Sequence, residues 1–224
     1  MCTPSRRAER DRAFDDTLGR EGFHVRRMAD LTALEQDERY LEGTGSLVLD
    51  RERNVAYAAI SPRTSERALN VWCGVMDGHQ VPFLATMDGT LTGQPVYHTN
   101  VVMSIGEHFA AVCFEAMPYP VDREDVRAEL ERAGKEVIPF SLDQMHRYVG
   151  NMLQLRGLSL PNSSLAASFI FLSETAFNAL KPEQRIALER HGQLVPVAIP
   201  TIETVGGGSV RCMLAENFLQ ALGA

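Results

Sequence analysis

Apolar and polar positions along the chain form a pattern that returns about every fifty residues: a polar signature, an apolar strand, a turn, a second strand, a helix and a third strand. The signatures are Leu41-Glu-Gly-Thr-Gly-Ser, Tyr97-His-Thr-Asn, Val149-Gly-Asn-Met and Thr201-Ile-Glu-Thr, which start 56, 52 and 52 residues apart. A ββαβ repeat follows from this order of elements. The first full unit runs through Ser46-Leu-Val-Leu-Asp, a polar turn at Arg51-Glu-Arg-Asn, Val55-Ala-Tyr-Ala-Ala-Ile, a helix after Thr64 and Val81-Pro-Phe-Leu-Ala-Thr. Two short strands across a charged turn predict a hairpin.

The second unit has strands at Val101-Val-Met-Ser-Ile and Phe109-Ala-Ala-Val-Cys-Phe. Its helix begins near Asp122, carries Val126, Leu130 and Ala133 on one face and stops at Gly134, before a strand at Val137-Ile-Pro-Phe. The third unit holds Met152-Leu-Gln-Leu, Ala167-Ser-Phe-Ile-Phe-Leu, a helical stretch from Glu174 to Arg190 in which Pro182 starts the second half, and Leu194-Val-Pro-Val-Ala-Ile. The ends differ. Residues 5 to 20 read as helix and Phe23-His-Val-Arg-Arg-Met as a strand, so the chain opens on the αβ half of a unit whose two leading strands are absent. The last signature is followed by one element, Ser209 to Leu222.

A length of 224 residues suits one domain with a full core. Hydrophobic residues make up 45% and charged residues 23%, which predicts a folded globular chain. The 29 acidic against 22 basic residues leave a net charge of −7, a poor match to a phosphate backbone, so nucleic acid is not expected as a partner. No apolar run approaches membrane-spanning length, and the start has no apolar leader segment. Cys2, Cys73, Cys113 and Cys212 are widely spaced with no C-x-x-C pair, which fits a reducing cytoplasm.

Cys212 follows Gly206-Gly-Gly-Ser-Val-Arg, a turn whose glycines let a ligand approach the backbone, and a reactive thiolate needs such a polar, open setting. The alternative is a buried cysteine, the expectation for Cys73 and Cys113; Cys2 is placed at a mobile end. His98 and Glu42 occupy signature positions of successive units. Thiol, imidazole and carboxylate are the parts of a cysteine hydrolase: nucleophile, acid and base, and a group that binds substrate nitrogen or orients the imidazole. His24, His79, His108, His146 and His191 are read as surface residues without partners. Neither clustered Cys/His spacing that would suggest zinc nor a G-K-[ST] phosphate loop occurs.

Five blocks in order resemble the arginine-deiminase-related amidinotransferase superfamily, most closely its citrulline-utilisation hydrolase branch. They are Leu41-Glu-Gly-Thr-Gly-Ser-Leu-Val-Leu-Asp-Arg, Ala59-Ile-Ser-Pro-Arg-Thr, Tyr97-His-Thr-Asn-Val-Val-Met-Ser-Ile-Gly, Gly150-Asn-Met-Leu and Ile202-Glu-Thr-Val-Gly-Gly-Gly-Ser-Val-Arg-Cys-Met-Leu-Ala-Glu. The resemblance implies a pentein, an α/β propeller of ββαβ units, here a single catalytic domain over residues 1–224 with its first unit incomplete. It implies that Cys212 forms a covalent adduct at a ureido or guanidino carbon, that His98 protonates the leaving amine and activates water, and that Glu42 binds substrate nitrogen. Asn100, Gly207, Gly208 and Arg211 are expected to contact a small arginine-like substrate, and the resemblance implies no metal or organic cofactor.

The family pattern begins upstream of Met1, and an incomplete first unit would leave strand edges that favour self-association. Asn100 stands where arginine deiminases would have an aspartate, and an amide suits a neutral ureido group such as that of citrulline better than a guanidinium. The expected reaction is citrulline to ornithine, ammonia and carbon dioxide, with an arginine deiminase or amidinotransferase reaction as the alternative. Two further readings are a truncated, inactive remnant and a non-catalytic pentein binding protein like the translation initiation factor that binds a ribosomal subunit. The second does not need the Cys, His and Glu.

Overall fold

A computed structural model describes residues 1–10, 13–157 and 168–222. The chain enters through a 3₁₀ turn, Pro4–Glu9, and a short helix, α1 (Phe14–Arg20), in place of one helix over 5 to 20. The strand expected at Phe23 does not form. Only one bridge, Phe23 to Ala221, is made, flanked by the His24 N–H on the Gln220 carbonyl (2.9 Å) and the Leu222 N–H on the Gly22 carbonyl (2.7 Å). A strand needs a ladder longer than that. A second 3₁₀ turn, Thr32–Asp37, leads to the first repeat unit.

Each unit begins with a tight helical turn or the end of a short helix. In the first, α2 (Gly43–Ser46) precedes β1 (Val48–Asp50), β2 (Val55–Ala59), α3 (Glu66–Met76) and β3 (His79–Phe83). In the second, α4 (Thr99–Val102) precedes β4 (Met103–Ile105), β5 (Phe109–Val112), α5 (Pro120–Arg132) and β6 (Glu136–Pro139). The third follows α6 (Leu142–His146) with β7 (Leu153–Arg156), β8 (Ser168–Ser173), α7 (Glu174–Ala179), α8 (Pro182–Glu189) and β9 (Gln193–Val197). Ala167, assigned to the β8 strand from sequence, lies outside the described residues.

The topology repeats. In each three-stranded sheet the first two strands pair antiparallel and the third pairs parallel to the second, after a helical crossover. The middle strands therefore have neighbours on both sides, and β2 and β5 are buried along their whole length, as their continuous apolar runs require. First strands of successive units adjoin, β1 against β4 and β4 against β7.

The boundaries have local causes. At the β1–β2 turn Asn54 takes φ +55°, and its side-chain amide donates to the Met76 and Asp77 carbonyls, closing the C-terminus of α3. Pro120 starts α5 at a position where a missing N–H costs nothing, and Gly134 at φ +69° ends it. Val126 and Leu130 on its inner face are fully buried, each contributing about 1.5–3 kcal/mol relative to an exposed side chain. Ser141 and Gln144 form a capping box on α6, and Ser173 caps α7. Pro182 opens α8 as the sequence predicts.

One apolar core runs through all three units, and a smaller cluster of Leu47, Ala56, Ala58, Leu69 and Cys73 lies under α3. Cys73 and Cys113 are buried as expected; burial pushes both thiols up, Cys113 to about 12. His191 is not a free surface residue. Its Nε2 lies 2.8 Å from Glu136 Oε2 and its ring stacks on Phe109. No helix among the described residues is long and apolar enough to cross a membrane.

The C-terminal segment departs from the single element expected over Ser209 to Leu222. A π-helical turn, Ile202–Gly206, leads into a 3₁₀ turn, Val210–Met213, and no strand follows among the described residues. Likewise the strand expected from Val101 starts only at Met103, because Thr99 to Val102 are taken up by α4.

Candidate active site

The opening turns of the units bring the chemically active residues together. Glu42 is the N-cap residue of α2 and His98 that of α4, so the repeat places them equivalently. The two turns are stitched by side chains. Thr99 Oγ1 donates to the Ser46 carbonyl and accepts from the Ala59 N–H (2.8 Å), while Asn100 Nδ2 donates to the Thr44 carbonyl (3.2 Å). Ser46 Oγ in turn accepts from the Glu42 N–H (2.8 Å).

That stitching delivers His98 Nε2 to 2.9 Å from Glu42 Oε2. Paired in this way, the neutral imidazole carries its proton on Nε2 and leaves Nδ1 as the base. Burial pulls the imidazole below its ordinary range, outweighing the hydrogen bond and charge of Glu42 that push it up. For Glu42, burial pushes the carboxyl up. Hydrogen bonds from the Cys2 N–H and His98, with the positive charge of Arg63, more than offset it, so the carboxyl lies below its usual range. Glu42 Oε1 accepts from the Cys2 N–H at 2.8 Å, which ties down a residue expected to be mobile. Both oxygens of Glu42 are thus engaged, in the arrangement of an imidazole-orienting carboxylate.

Gly45 makes the pairing sterically feasible. A Cβ there would stand 2.7 Å from the His98 ring, so the α2 backbone lies flat against the imidazole only because the position is glycine.

Cys212 sits in the Val210–Met213 turn and is exposed. Two buried amides face its sulfur: Asn151 Nδ2 at 3.2 Å and Asn100 Nδ2 at 3.6 Å. The Cys212 segment is held from several sides. Glu203, buried, accepts from Ser209 Oγ (2.7 Å) and from Thr175 Oγ1 (2.6 Å), and its carbonyl accepts from the Tyr148 hydroxyl (3.0 Å). Gly207, at φ +67°, turns its carbonyl to the Tyr97 hydroxyl (2.6 Å). A Cβ on Gly208 would lie 3.3 Å from Cys212 Sγ, so glycine keeps that approach to the sulfur clear.

Among the residues expected from sequence, Asn100 and Gly208 are therefore beside the sulfur, and Glu42 and His98 form a bonded pair on turns joined to Asn100. Arg211 behaves differently: its buried guanidinium donates to the Leu214 carbonyl (2.9 Å) and lies 3.4 Å from Glu216, bracing its own segment. Burial pulls it below its ordinary range. It also lines a cavity of about 600 Å³ bounded by Asn100, Met103, Ser104, Gln154 and Phe218. That cavity adjoins the site through Asn100 and Arg211, while Cys212, His98 and Glu42 do not line it. Among the described residues no group of three or more His, Cys, Asp or Glu is placed to hold a metal ion.

Three contributors escape the sequence reading: Asn151, Glu203 and Gly45. All lie inside the repeat signatures. Asn151 follows Asn100 by 51 residues, within one residue of the period, and that near-periodic recurrence of asparagine is the signal that could have identified it.

Comparison with solved structures shows the same fold in ArgZ, an arginine dihydrolase from the ornithine-ammonia cycle in cyanobacteria. Its apo form superposes with a TM-score of 0.64 at 13% identity, covering 99% of this chain and 30% of that one. A variant of its N-terminal domain, covalently bonded to a reaction intermediate, gives 0.65 at 14% identity over 98% and 67% of the two chains. AgrE with L-arginine gives 0.60 at 12% identity over 93% and 26%. The chain thus spans about a third of full-length ArgZ. No curated protein matches it in sequence. The family model described as N,N dimethylarginine dimethylhydrolase, eukaryotic, matches residues 1–219, and the chain belongs to that family.

Proposed function

We propose that this chain is the catalytic domain of a thiol-dependent hydrolase acting at the ureido or guanidino carbon of an arginine-like small molecule. The observation that carries the reading is an exposed Cys212 sulfur beside Asn100, on the same turn as a His98 that is bonded to Glu42. The family description and the arginine dihydrolase named among the structural neighbours support the substrate class. The adjoining first strands of the three units support reading them as blades of a pentein-type propeller.

The chemistry divides among the residues. His98 Nδ1 takes the Cys212 proton as Sγ adds to the electrophilic carbon, and the C–N bond breaks as the resulting imidazolium passes that proton to the departing nitrogen. His98, neutral again, takes a proton from water, whose oxygen then displaces the sulfur. Glu42 holds the imidazole in one tautomer and steadies its cationic form. No step requires a cofactor.

Within that class the amide at position 100 favours a neutral ureido group, with citrulline plus water giving ornithine, ammonia and carbon dioxide, the second C–N bond breaking as the carbamate released from sulfur loses carbon dioxide. Glu42 has both oxygens engaged, and the side chains bonded to Cys212 Sγ are amides. Burying a guanidinium against neutral amides alone costs several kcal/mol, on the order of a lost buried ion-pair partner. Steady-state assays with citrulline, arginine and N,N-dimethylarginine test this. The expected order places citrulline first in kcat/KM, and faster turnover of either guanidino compound overturns the preference. Cys212→Ala should abolish turnover and haloacetamidine labelling, and activity retained by that variant would refute the mechanism itself.

A further inference from the structure

We propose that Asn151 is a catalytic residue of this site, whose side-chain amide stabilises the Cys212 sulfur as the thiolate in concert with Asn100. The inference rests on the reading of Cys212 as the nucleophile and adds a group to it.

The argument begins with backbone placement. Gly150 lies so close to α4 that a Cβ on it would stand 2.3 Å from the Val101 carbonyl oxygen. That approach puts the next residue, Asn151, against the Asn100 backbone, and the side chain is almost wholly buried at 2% exposure. Its amide orientation is fixed by its partners. An NH₂ group has two hydrogens. One is donated to the Asn100 carbonyl at 3.1 Å, and the same nitrogen lies 3.2 Å from Cys212 Sγ. Asn100 repeats the arrangement one unit earlier, with its nitrogen on the Thr44 carbonyl at 3.2 Å and 3.6 Å from the same sulfur. Were either amide turned over, its oxygen would face a backbone carbonyl and the sulfur together.

Two N–H donors therefore converge on one sulfur. A thiol is a weak acceptor and a thiolate a strong one, so donors held in place before reaction favour the anion over the neutral form. Being uncharged, the amides do this without placing a cation beside the substrate. Their carbonyl oxygens are buried and have no hydrogen-bond partner among the described residues, so neither amide is held in the reverse orientation by a donor to its oxygen.

Iodoacetamide alkylation of Cys212, followed against pH by mass mapping of the modified peptide, tests the proposal on the whole chain. In Asn151→Ala the midpoint of the alkylation profile should move up by about one pH unit, a tenfold loss of anion at a fixed pH below it. kcat should fall at least about tenfold, with a smaller change in KM. Asn151→Asp, nearly isosteric, turns a carboxylate toward the sulfur and should move the midpoint further in the same direction. It also carries the test should the alanine variant not fold. An unchanged midpoint in a folded Asn151 variant overturns the proposal even where Cys212→Ala is inactive. An active Cys212→Ala variant would instead remove the reading on which it stands.

Discussion

Glu42 and His98, 56 positions apart, cap equivalent turns of successive units, and their side chains meet at 2.9 Å. The pairing turns a feature of the repeat into an acid/base group, because neither residue could hold the other without the Thr99 and Asn100 contacts that dock α4 on α2. Glu42→Gln keeps the shape but can present its amide nitrogen to His98, removing control of the tautomer. Turnover should fall by about 10²- to 10⁴-fold, the range of a general acid/base contribution. Steady-state kinetics with unchanged circular dichroism would check it; a fall seen only in KM would assign Glu42 to substrate binding instead.

Gly45→Ala introduces a methyl group 2.7 Å from the His98 ring. The imidazole must rotate or α2 must lift, and a displacement near 1 Å at a reacting group costs about 100-fold in rate. Iodoacetamide should still reach Cys212. Full activity in this variant would show that His98 does not act from the position seen here.

The acid side of the stability profile should carry the signature of the same pair. The folded chain holds His98 below its ordinary value of 6.5, so the unfolded chain takes up that proton first and stability falls as pH drops from 6.5 to the folded value. Glu42, held below 4.5, adds a second loss in the same direction as pH falls below 4.5. Urea melts between pH 7.5 and 3.5 should show both, and His98→Gln should flatten the upper part. A rise in stability on acidification through 6.5 would contradict the sign.

Glu203→Ala strands the hydroxyls of Ser209 and Thr175, both bonded to its carboxylate. Losing a buried acceptor of this kind costs about 1–3 kcal/mol. Activity should fall with it, since Ser209 begins the turn that carries Cys212. Denaturant unfolding and turnover measured together would separate this variant from Glu203→Gln, which keeps one acceptor and should recover part of both.

Much of the architecture is legible in the period alone. The three ββαβ units, the turn at Asn54, the stop at Gly134 and the start at Pro182 all follow from local rules that tertiary contacts leave intact. The failures lie where partners decide. Phe23 to Met28 alternates like a strand but finds one bridging residue, and Val101 and Val102 have strand-like side chains yet serve the helical turn that positions Asn100. His191 reads as a lone surface histidine because Glu136 and Phe109 lie far away in sequence. His98 and Glu42 stand out because chemically active residue types recur at signature positions, and Cys212 because it follows a glycine-rich turn. Asn151 does not, since an asparagine in a loop is ordinary until its nitrogen is found beside a sulfur 61 residues away.

The stitching of opening turns has a consequence for how the chain fails. Glu42, His98, Asn151 and Cys212 belong to four successive openings, and each is oriented by a backbone carbonyl or side chain from another. Alkylation chemistry at Cys212 is therefore a sentinel for docking between units. In mild denaturant its alkylation rate should change as soon as any one unit swings away, while circular dichroism still records intact sheets and helices, so inactivation is expected to run ahead of melting.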